Sequence, residues 1–490
     1  MNRPWGALLL VFCAAGLSAG PATSERPADP RLSGAFRRPP ANGWIFAHLE
    51  GDPSSIGYQN GYLLAPEIAD SFRVVRAGML HGSSHDWAFY RAAAEHVLWP
   101  HIEKEYREEL QGITAGLLAR QVPNMDLWDV VAYNAFQELD SYYSNWYDRQ
   151  HHIAAVRRPT PEHCSAFVAT GSYTRDGKII IAHNNWSQYR EGSRWNIILD
   201  IVPSSGYRIL MDALPGMIHS GDDFGENSAG MLITETTISS FDGFDPDGVA
   251  EFVRARKAMQ YSASIHDFAR IMKDGNNGGY ANTWLLADRN TNEIGELELG
   301  LLHVTLKTSR DGYFAGANFP QNPELIRDEA FSFSVRDMGI SPNARRKRWD
   351  ELMAGYKGKI DVSAAGKFLA DHYDTFEGRE APSERTLCGH VDLSPRGSPP
   401  WQPAHGTAGA VENKVSDALL SAQMAFIAAM GHACGRKFNA AEHVRKYPAF
   451  TWEKDLLKDL DSYPWTKFQA AQGGEASARV SGVHPRGAAR

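Results

Sequence analysis

Cys164 stands in the run Glu162-His163-Cys164-Ser165-Ala166-Phe167-Val168-Ala169-Thr170-Gly171, heading a β-branched and aromatic stretch of the kind that forms a buried strand. A turn at Arg175-Asp176-Gly177-Lys178 leads to a second run, Ile179-Ile180-Ile181-Ala182, which ends in the polar cluster His183-Asn184-Asn185-Trp186. A thiol at the first position of one strand, facing a His/Asn cluster on its partner, can serve as a nucleophile. It can equally be an ordinary buried thiol, since cysteine is among the most buried residue types. A papain-like site needs the cysteine at a helix N-terminus with a distant His as base, and the local C-G-S-C-W type of signature is absent. The other construction makes the cysteine the first residue of a chain. Its own α-amino group, with a reference pKa of roughly 7.7–8.0, is then the base. That construction requires a cut between His163 and Cys164, and the aperiodic stretch 143–163 suits one.

The remaining reactive side chains point elsewhere. Cys13 lies in an apolar leader, leaving Cys164, Cys388 and Cys434. Cys388 and Cys434 sit in polar, Gly-flanked loops, so a disulfide between them is expected, with Cys164 left over. Metal sites find little support by spacing: His151-His152 lies in a loop, and there is neither H-E-x-x-H nor a paired C-x-x-C. Asp242 to Gly248 has the wrong spacing for a calcium loop, and Gly275-Asn276-Asn277-Gly278-Gly279 lacks the Gly-Lys-Ser/Thr ending that cradles phosphate. No cofactor is expected.

The elements that must position Cys164 fall in blocks. From about 41 to 150 the apolar spacing is helical, through Gly57-Tyr58-Gln59-Asn60-Gly61, Trp87 to Leu118, and a helix capped by Asp126. From 164 the runs are of strand length: Trp195 to Ile201, Tyr207 to Asp212, Ala229 to Thr234, Thr283 to Ala287, Ile294 to Leu299, Leu301 to Thr305 and Tyr313 to Ala315. Helices are expected at Val249 to Tyr261, Ile265 to Met272 after Ser264 as cap, and Val415 to Met430. Blocks without strict βαβ alternation predict an α+β fold, with antiparallel sheets covered by helices.

At 490 residues and 43% hydrophobic content the chain can bury a large core, and a net charge of −8 without a long Lys/Arg-rich run argues against nucleic acid as a partner. Met1 to Trp5 and the apolar Gly6 to Gly16 read as a signal peptide, with small residues allowing cleavage after Ala19 or Ala22. The expected division is leader 1–19, a flexible segment 20–40, a helical fragment 41–163, a catalytic region 164–469 and a flexible tail 470–490. The one N-x-S/T sequon, Asn185-Trp186-Ser187, lies inside the candidate site, where a glycan does not fit. Secretion or a periplasmic setting is therefore expected, or a lysosome-like lumen in a eukaryote.

Several stretches in order resemble the phospholipase B-like branch of the N-terminal nucleophile hydrolases. The chain is also similar to the acyltransferase-like cysteine peptidase group and, more remotely, to bile-salt hydrolases. The matching stretches are His163-Cys164-Ser165-Ala166, Ala182-His183-Asn184-Asn185-Trp186, Asn227-Ser228-Ala229-Gly230 and Thr234-Glu235-Thr236-Thr237-Ile238. Tyr280-Ala281-Asn282-Thr283-Trp284, Asn413-Lys414-Val415-Ser416 and Gly57 to Gly61 complete the set, over roughly 45–465. The resemblance implies an αββα sandwich, a proenzyme that cuts itself before Cys164, and hydrolysis of an ester or amide in an acyl chain. It places Thr237 and Asn282 around the oxyanion and nucleophile, and matches His183 and Asn184 to the polar pair after the second strand. Where relatives carry an aspartate to hold the amine, this chain has Asn184 and Asn185. Asn282 can also serve only to anchor the Gly-rich loop, and Thr237 only to satisfy a strand end.

The expected partner is an acylated lipid or a small N-acyl compound, met in solution or by transient contact with a membrane surface. Two alternatives stand: an amidase, peptidase or acyltransferase on small N-acyl compounds, and a catalytically silent lipid-binding protein on the same fold. Nothing in the sequence sets an oligomeric state.

Overall fold

The strands are buried on both faces, and one apolar face of each sheet meets the other. The computed structural model describes residues 29–154, 164–221 and 224–472. A nine-stranded sheet runs, in spatial order, Phe36–Arg37, Ile45–Gly51, Ile197–Pro203, Ile209–Ala213, Gly225–Asn227, Met231–Thr237, Asn282–Asp288, Glu293–Leu299 and Val304–Ser309. A six-stranded sheet runs Gly312–Gly316, Ser165–Thr170, Ile180–Gln188, Ala408–Asp417, Ala425–Met430 and Thr466–Gln469. Every pairing is antiparallel except that of Ile45–Gly51 with Ile197–Pro203. Ala166, Val168, Ile181 and Phe426 from the smaller sheet pack with Phe46, Ile198, Leu210, Leu232 and Leu285 from the larger.

Helices cover both outer faces. Phe268, in Ile265–Lys273, stacks edge-on to Trp284 of the larger sheet at 5.1 Å. On the other side Phe167 packs against Trp349 and Phe368, from Ser341–Gly355 and Val362–Leu369, at 5.3 and 5.8 Å. The result is the expected αββα sandwich. No described helix is long and apolar enough to cross a membrane.

The Gly57 to Gly61 stretch serves packing. Helices Pro53–Leu63 and Lys104–Ala119 approach so closely that a Cβ on Gly57 would lie 1.9 Å from the Glu109 carbonyl oxygen, and one on Gly61 2.2 Å from that of Ile113. Gln59 accepts from the Glu50 N–H and donates to the Glu50 and Arg31 carbonyls, while Asn60 donates to Met217.

Four expectations are corrected. Val415 to Met430 is not a helix: it holds the end of Ala408–Asp417, one turn at Ala418–Ser421, and the strand Ala425–Met430. Its alanines favour a helix in isolation, but paired burial inside the sheet overrides that weak preference. Trp87 to Leu118 is interrupted at Trp99–His101, where Pro100 has no N–H to continue the helix. The aperiodic 143–163 stretch is helical over Ser144–Gln150, and its remainder from 155 lies outside the described residues. The segment 20–40 is described from Asp29, and there Phe36 and Arg37 pair with His48 and Ala47. The leader 1–19 and the tail beyond 472 lie outside the described residues.

Glu226 is a misfit of the inter-sheet core. Its strand partners are Leu210 and Leu232, and its buried carboxyl has only the Ser421 hydroxyl and the more distant Arg289 to offset its charge. Burial pushes its carboxyl up to about 8. A raised carboxyl pKa means the folded chain holds a proton that the unfolded chain releases above a pH of about 4.3. Stability therefore falls as pH rises from there to about 8, with a slope of up to about 1.4 kcal/mol per pH unit. Glu226→Gln removes the term. The variant's gain in melting temperature over the native chain is expected to grow as buffers are taken from about pH 5 to about pH 8.

Candidate active site at the head of the Cys164 strand

Cys164 directly precedes Ser165–Thr170, is 1% exposed and has φ of +82°. That left-handed conformation is rare away from glycine, and such residues persist only where their surroundings hold them. Arg345 holds this one. Its Nη1 donates to the Cys164 carbonyl at 2.5 Å and to Ser165 Oγ at 3.1 Å. Nη2 donates to Asn318 Oδ1 at 2.8 Å and Nε to Ser341 Oγ at 2.9 Å. The guanidinium also lies 4.2 Å from the centre of the Trp186 ring. Asn318 in turn donates to the Thr237 carbonyl at 2.9 Å. One buried arginine thus links the head of the Cys164 strand to the end of Met231–Thr237 in the other sheet.

Register places the other candidates. Ser165 pairs with Asn184 and Ala166 with His183, so continuing the ladder puts Cys164 opposite Asn185. By strand alternation His183 and Asn185 share the inter-sheet face with Ala166, and Asn184 points to the opposite face. There the Asn184 amide donates to the Leu369 and Leu387 carbonyls at 2.8 and 2.9 Å, as a backbone anchor. Thr237 and Asn282 are cross-strand partners at the end of the larger sheet. Alternation puts them on its helix-facing side with Glu235. Thr237 Oγ1 lies 3.4 Å from Tyr280 OH, which donates to Glu235 Oε1 at 3.1 Å. Asn282 is 1% exposed, and neither its amide nitrogen nor its oxygen has a hydrogen-bond partner. His163 lies outside the described residues.

His183 faces a buried charge cluster that spacing does not reveal. Its strand partner Lys414 bonds Asp212 of the larger sheet at 2.8 Å and Glu412 at 2.6 Å. The Phe224 ring lies 6.4 Å from that of His183.

Ser187 and Gln188, further along the His183 strand, border a cavity of about 330 Å³. Phe136, Trp195, Trp401 and Met79 supply much of its apolar wall. Burial pushes the carboxyl of Glu191, on the same wall, up to about 7.

The expected disulfide is not formed. Among the described residues all three cysteines are thiols, and Cys388 and Cys434 instead both flank the ring of His390. Counting cysteines missed the histidine that both thiols touch.

Arg345 also went unread. It sits in Asn343-Ala344-Arg345-Arg346-Lys347-Arg348, which passes for a solvated run, yet it is 0% exposed while Arg346 is exposed. The available signal is its position one turn before Trp349, on the apolar stripe of the helix.

A sandwich of two antiparallel sheets between helical layers, with a constrained cysteine heading an internal strand, is the architecture of the N-terminal nucleophile superfamily. Within it, the phospholipase B family model matches residues 57–463, and the chain belongs to the phospholipase B family. It is 24% identical over 303 residues to phospholipase B-like 1 of Homo sapiens, covering 55% of this chain and 51% of that protein. To putative phospholipase B-like 2 of Mus musculus it is 26% identical over 343 residues, covering 61% and 55%. To phospholipase B-like 1 of Bos taurus it is 21% identical over 413 residues, covering 75% and 73%. The chain thus matches about half the length of the human and mouse proteins.

Arg345→Lys keeps the charge but cannot reach Cys164 and Asn318 at once. The expected loss is about 2–3 kcal/mol in urea unfolding. Arg346→Lys, on the exposed side of the same helix, is expected to stay within about 0.5 kcal/mol of the native chain.

Proposed function

We propose that this chain is an acyl hydrolase acting on acylated lipids, exported by its leader, with Cys164 as nucleophile after the His163–Cys164 bond is cut. The observation that carries the reading is the head of the Cys164 strand: a buried thiol residue at φ +82°, its carbonyl clamped by Arg345. The uncommitted Asn282 amide stands at the strand end that Arg345 and Asn318 tie to that head. The names of the relatives, phospholipase B-like, support the substrate class.

In this reading the Cys164 thiol first attacks the His163 carbonyl. The amide C–N bond breaks as the thioester forms, which frees the α-amino group, and water then hydrolyses the thioester to release the His163 carboxylate and the thiol. In turnover the amine takes the thiol proton as sulfur adds to the acyl carbon. The oxyanion is stabilised by N–H donors, with Asn282 as one. Collapse expels the alcohol or amine with the proton, leaving a thioester. Water, deprotonated by the same amine, then releases the acid and restores the thiol. His183 and Asn185 orient the amine from the neighbouring strand, and Thr237 supports Asn282. The cavity beside Ser187 and Gln188 receives the apolar acyl chain.

Intact mass and terminal sequencing of an active preparation are expected to find two associated chains, the second starting at Cys164. Cys164→Ala should remain uncut and inactive. Asn282→Ala should melt near the native temperature while kcat falls by about 10²–10³. Turnover by a wholly uncut chain would falsify the nucleophile assignment. An unchanged kcat with early melting would make Asn282 a loop anchor only.

A further inference from the structure

We propose that His372, Cys388, His390 and Cys434 form a closed tetrahedral site for one zinc ion, a structural clasp behind the candidate active site. The four donors come from three separate segments. His372 follows the helix Val362–Leu369, Cys388 and His390 precede the strand Ala408–Asp417, and Cys434 follows Ala425–Met430. Their ligand atoms all lie within 4.8 Å of one another.

The geometry around one atom carries the argument. His390 Nε2 lies 3.6 Å from Cys388 Sγ, 3.5 Å from Cys434 Sγ and 3.1 Å from His372 Nε2. A ring nitrogen offers either one hydrogen or one lone pair, so hydrogen bonding satisfies one such neighbour and not three. A shared central ion satisfies all of them. Zinc–sulfur bonds of about 2.3 Å and zinc–nitrogen bonds of about 2.0–2.1 Å at tetrahedral angles give N···S edges of roughly 3.5–3.6 Å and N···N edges of roughly 3.3 Å. The observed spacings match those edges to within about 0.3 Å.

The chemistry of the donors selects the ion. Two thiolates with two neutral imidazoles suit zinc, and four protein ligands leave no open position for water, as in structural sites. On binding, both thiols release their protons to solvent, and the two thiolate charges cancel that of the ion. A neutral assembly is the one this buried corner tolerates best. Beyond the ligands, His390 Nδ1 faces Asp392 Oδ1 at 3.8 Å, and Asp392 accepts from Tyr189 OH at 2.7 Å. The His432 ring stacks on His390 at 4.3 Å and 12°. A carboxylate behind a ligating imidazole is the usual orienting partner in such sites. Cys388 and His390 are fully buried, whereas His372 and Cys434 are part-exposed and give an ion a way in.

The clasp acts on the neighbouring strand. Leu387, adjacent to Cys388, accepts from Asn184 Nδ2 at 2.9 Å and Trp186 Nε1 at 3.2 Å. The Cys388 N–H donates to the Asp371 carbonyl, next to His372, at 3.1 Å. Tying these segments holds the strap that backs the Asn184–Trp186 strand.

The test uses the full chain, purified reduced and without chelator. About one zinc per chain is expected by elemental analysis. Chelation should lower the melting temperature, and added zinc should restore it. Cobalt(II) refilling should give thiolate-to-cobalt charge transfer and the intense visible bands of a tetrahedral site. Cys434→Ser and His372→Gln should weaken those bands, and Cys164→Ala should keep them, so the result is independent of the hydrolase reading. If a ligand variant does not fold, the cobalt spectrum of the native chain decides alone. Failure of the stripped, reduced chain to take up zinc or cobalt at stoichiometry overturns the proposal. So does a Cys388–Cys434 disulfide in the native protein.

Discussion

Arg345 is a cation with no exposed surface, and burying a charge is tolerated only where its donors are met. Here they are met at once by Cys164, Ser165, Asn318 and Ser341, while the guanidinium lies over Trp186. That arrangement makes the conformation of Cys164 a property of a distant helix, through a bond spanning 181 positions. The planar fork is what allows it. A flexible ammonium carries the same charge but cannot serve several acceptors in fixed directions. The helix stays in place because Trp349, one turn on, is buried against Phe167 of the same strand. Packing therefore seats the arginine, and the arginine sets the head of the strand.

A second tie runs between the sheets. Lys414 belongs to the smaller sheet and Asp212 to the larger, and both are wholly buried with Glu412 beside them. A buried ion pair contributes little net stability over an apolar replacement, but removing one partner leaves a charge that nothing offsets. The pair joins one point of the smaller sheet directly to one point of the larger. His183, the strand partner of Lys414 in the same sheet, shares the face that continues to Cys164.

Local signals were legible where local physics decides. Asp126 caps its helix with Asp129 returning the bond, and Ser264 caps Ile265–Lys273, as the sequence predicts. The strands after Cys164 were legible within a few residues, because β-branched runs between turns leave few other options. Val415 to Met430 was misread because its alanines carry a helical preference, whereas its state is decided by pairing with Ile180–Gln188 and with itself. Arg345 and the group at His372, Cys388, His390 and Cys434 were illegible for a different reason. Their meaning lies in convergence from distant segments, and motif spacing registers only what is close in sequence. The expected Cys388–Cys434 bond failed in the same way, since parity of cysteines says nothing of a histidine that both thiols touch.

The asparagines of the family-like stretches differ in how their amides are used. Asn227 donates to the Met259 and Ser262 carbonyls, Asn413 to those of Ala429 and Gly431, and Asn184 to those of Leu369 and Leu387. Each ties its own strand to backbone elsewhere with both amide hydrogens, which is what a buried amide does when its task is structural. Asn282 departs from this pattern, with no partner for either end of its amide. Leaving a buried polar group unmatched costs about 1–3 kcal/mol. In the proposed mechanism the partner that arrives is the oxygen gaining negative charge. Sequence alone ranks these asparagines alike; their hydrogen bonds are what set Asn282 apart.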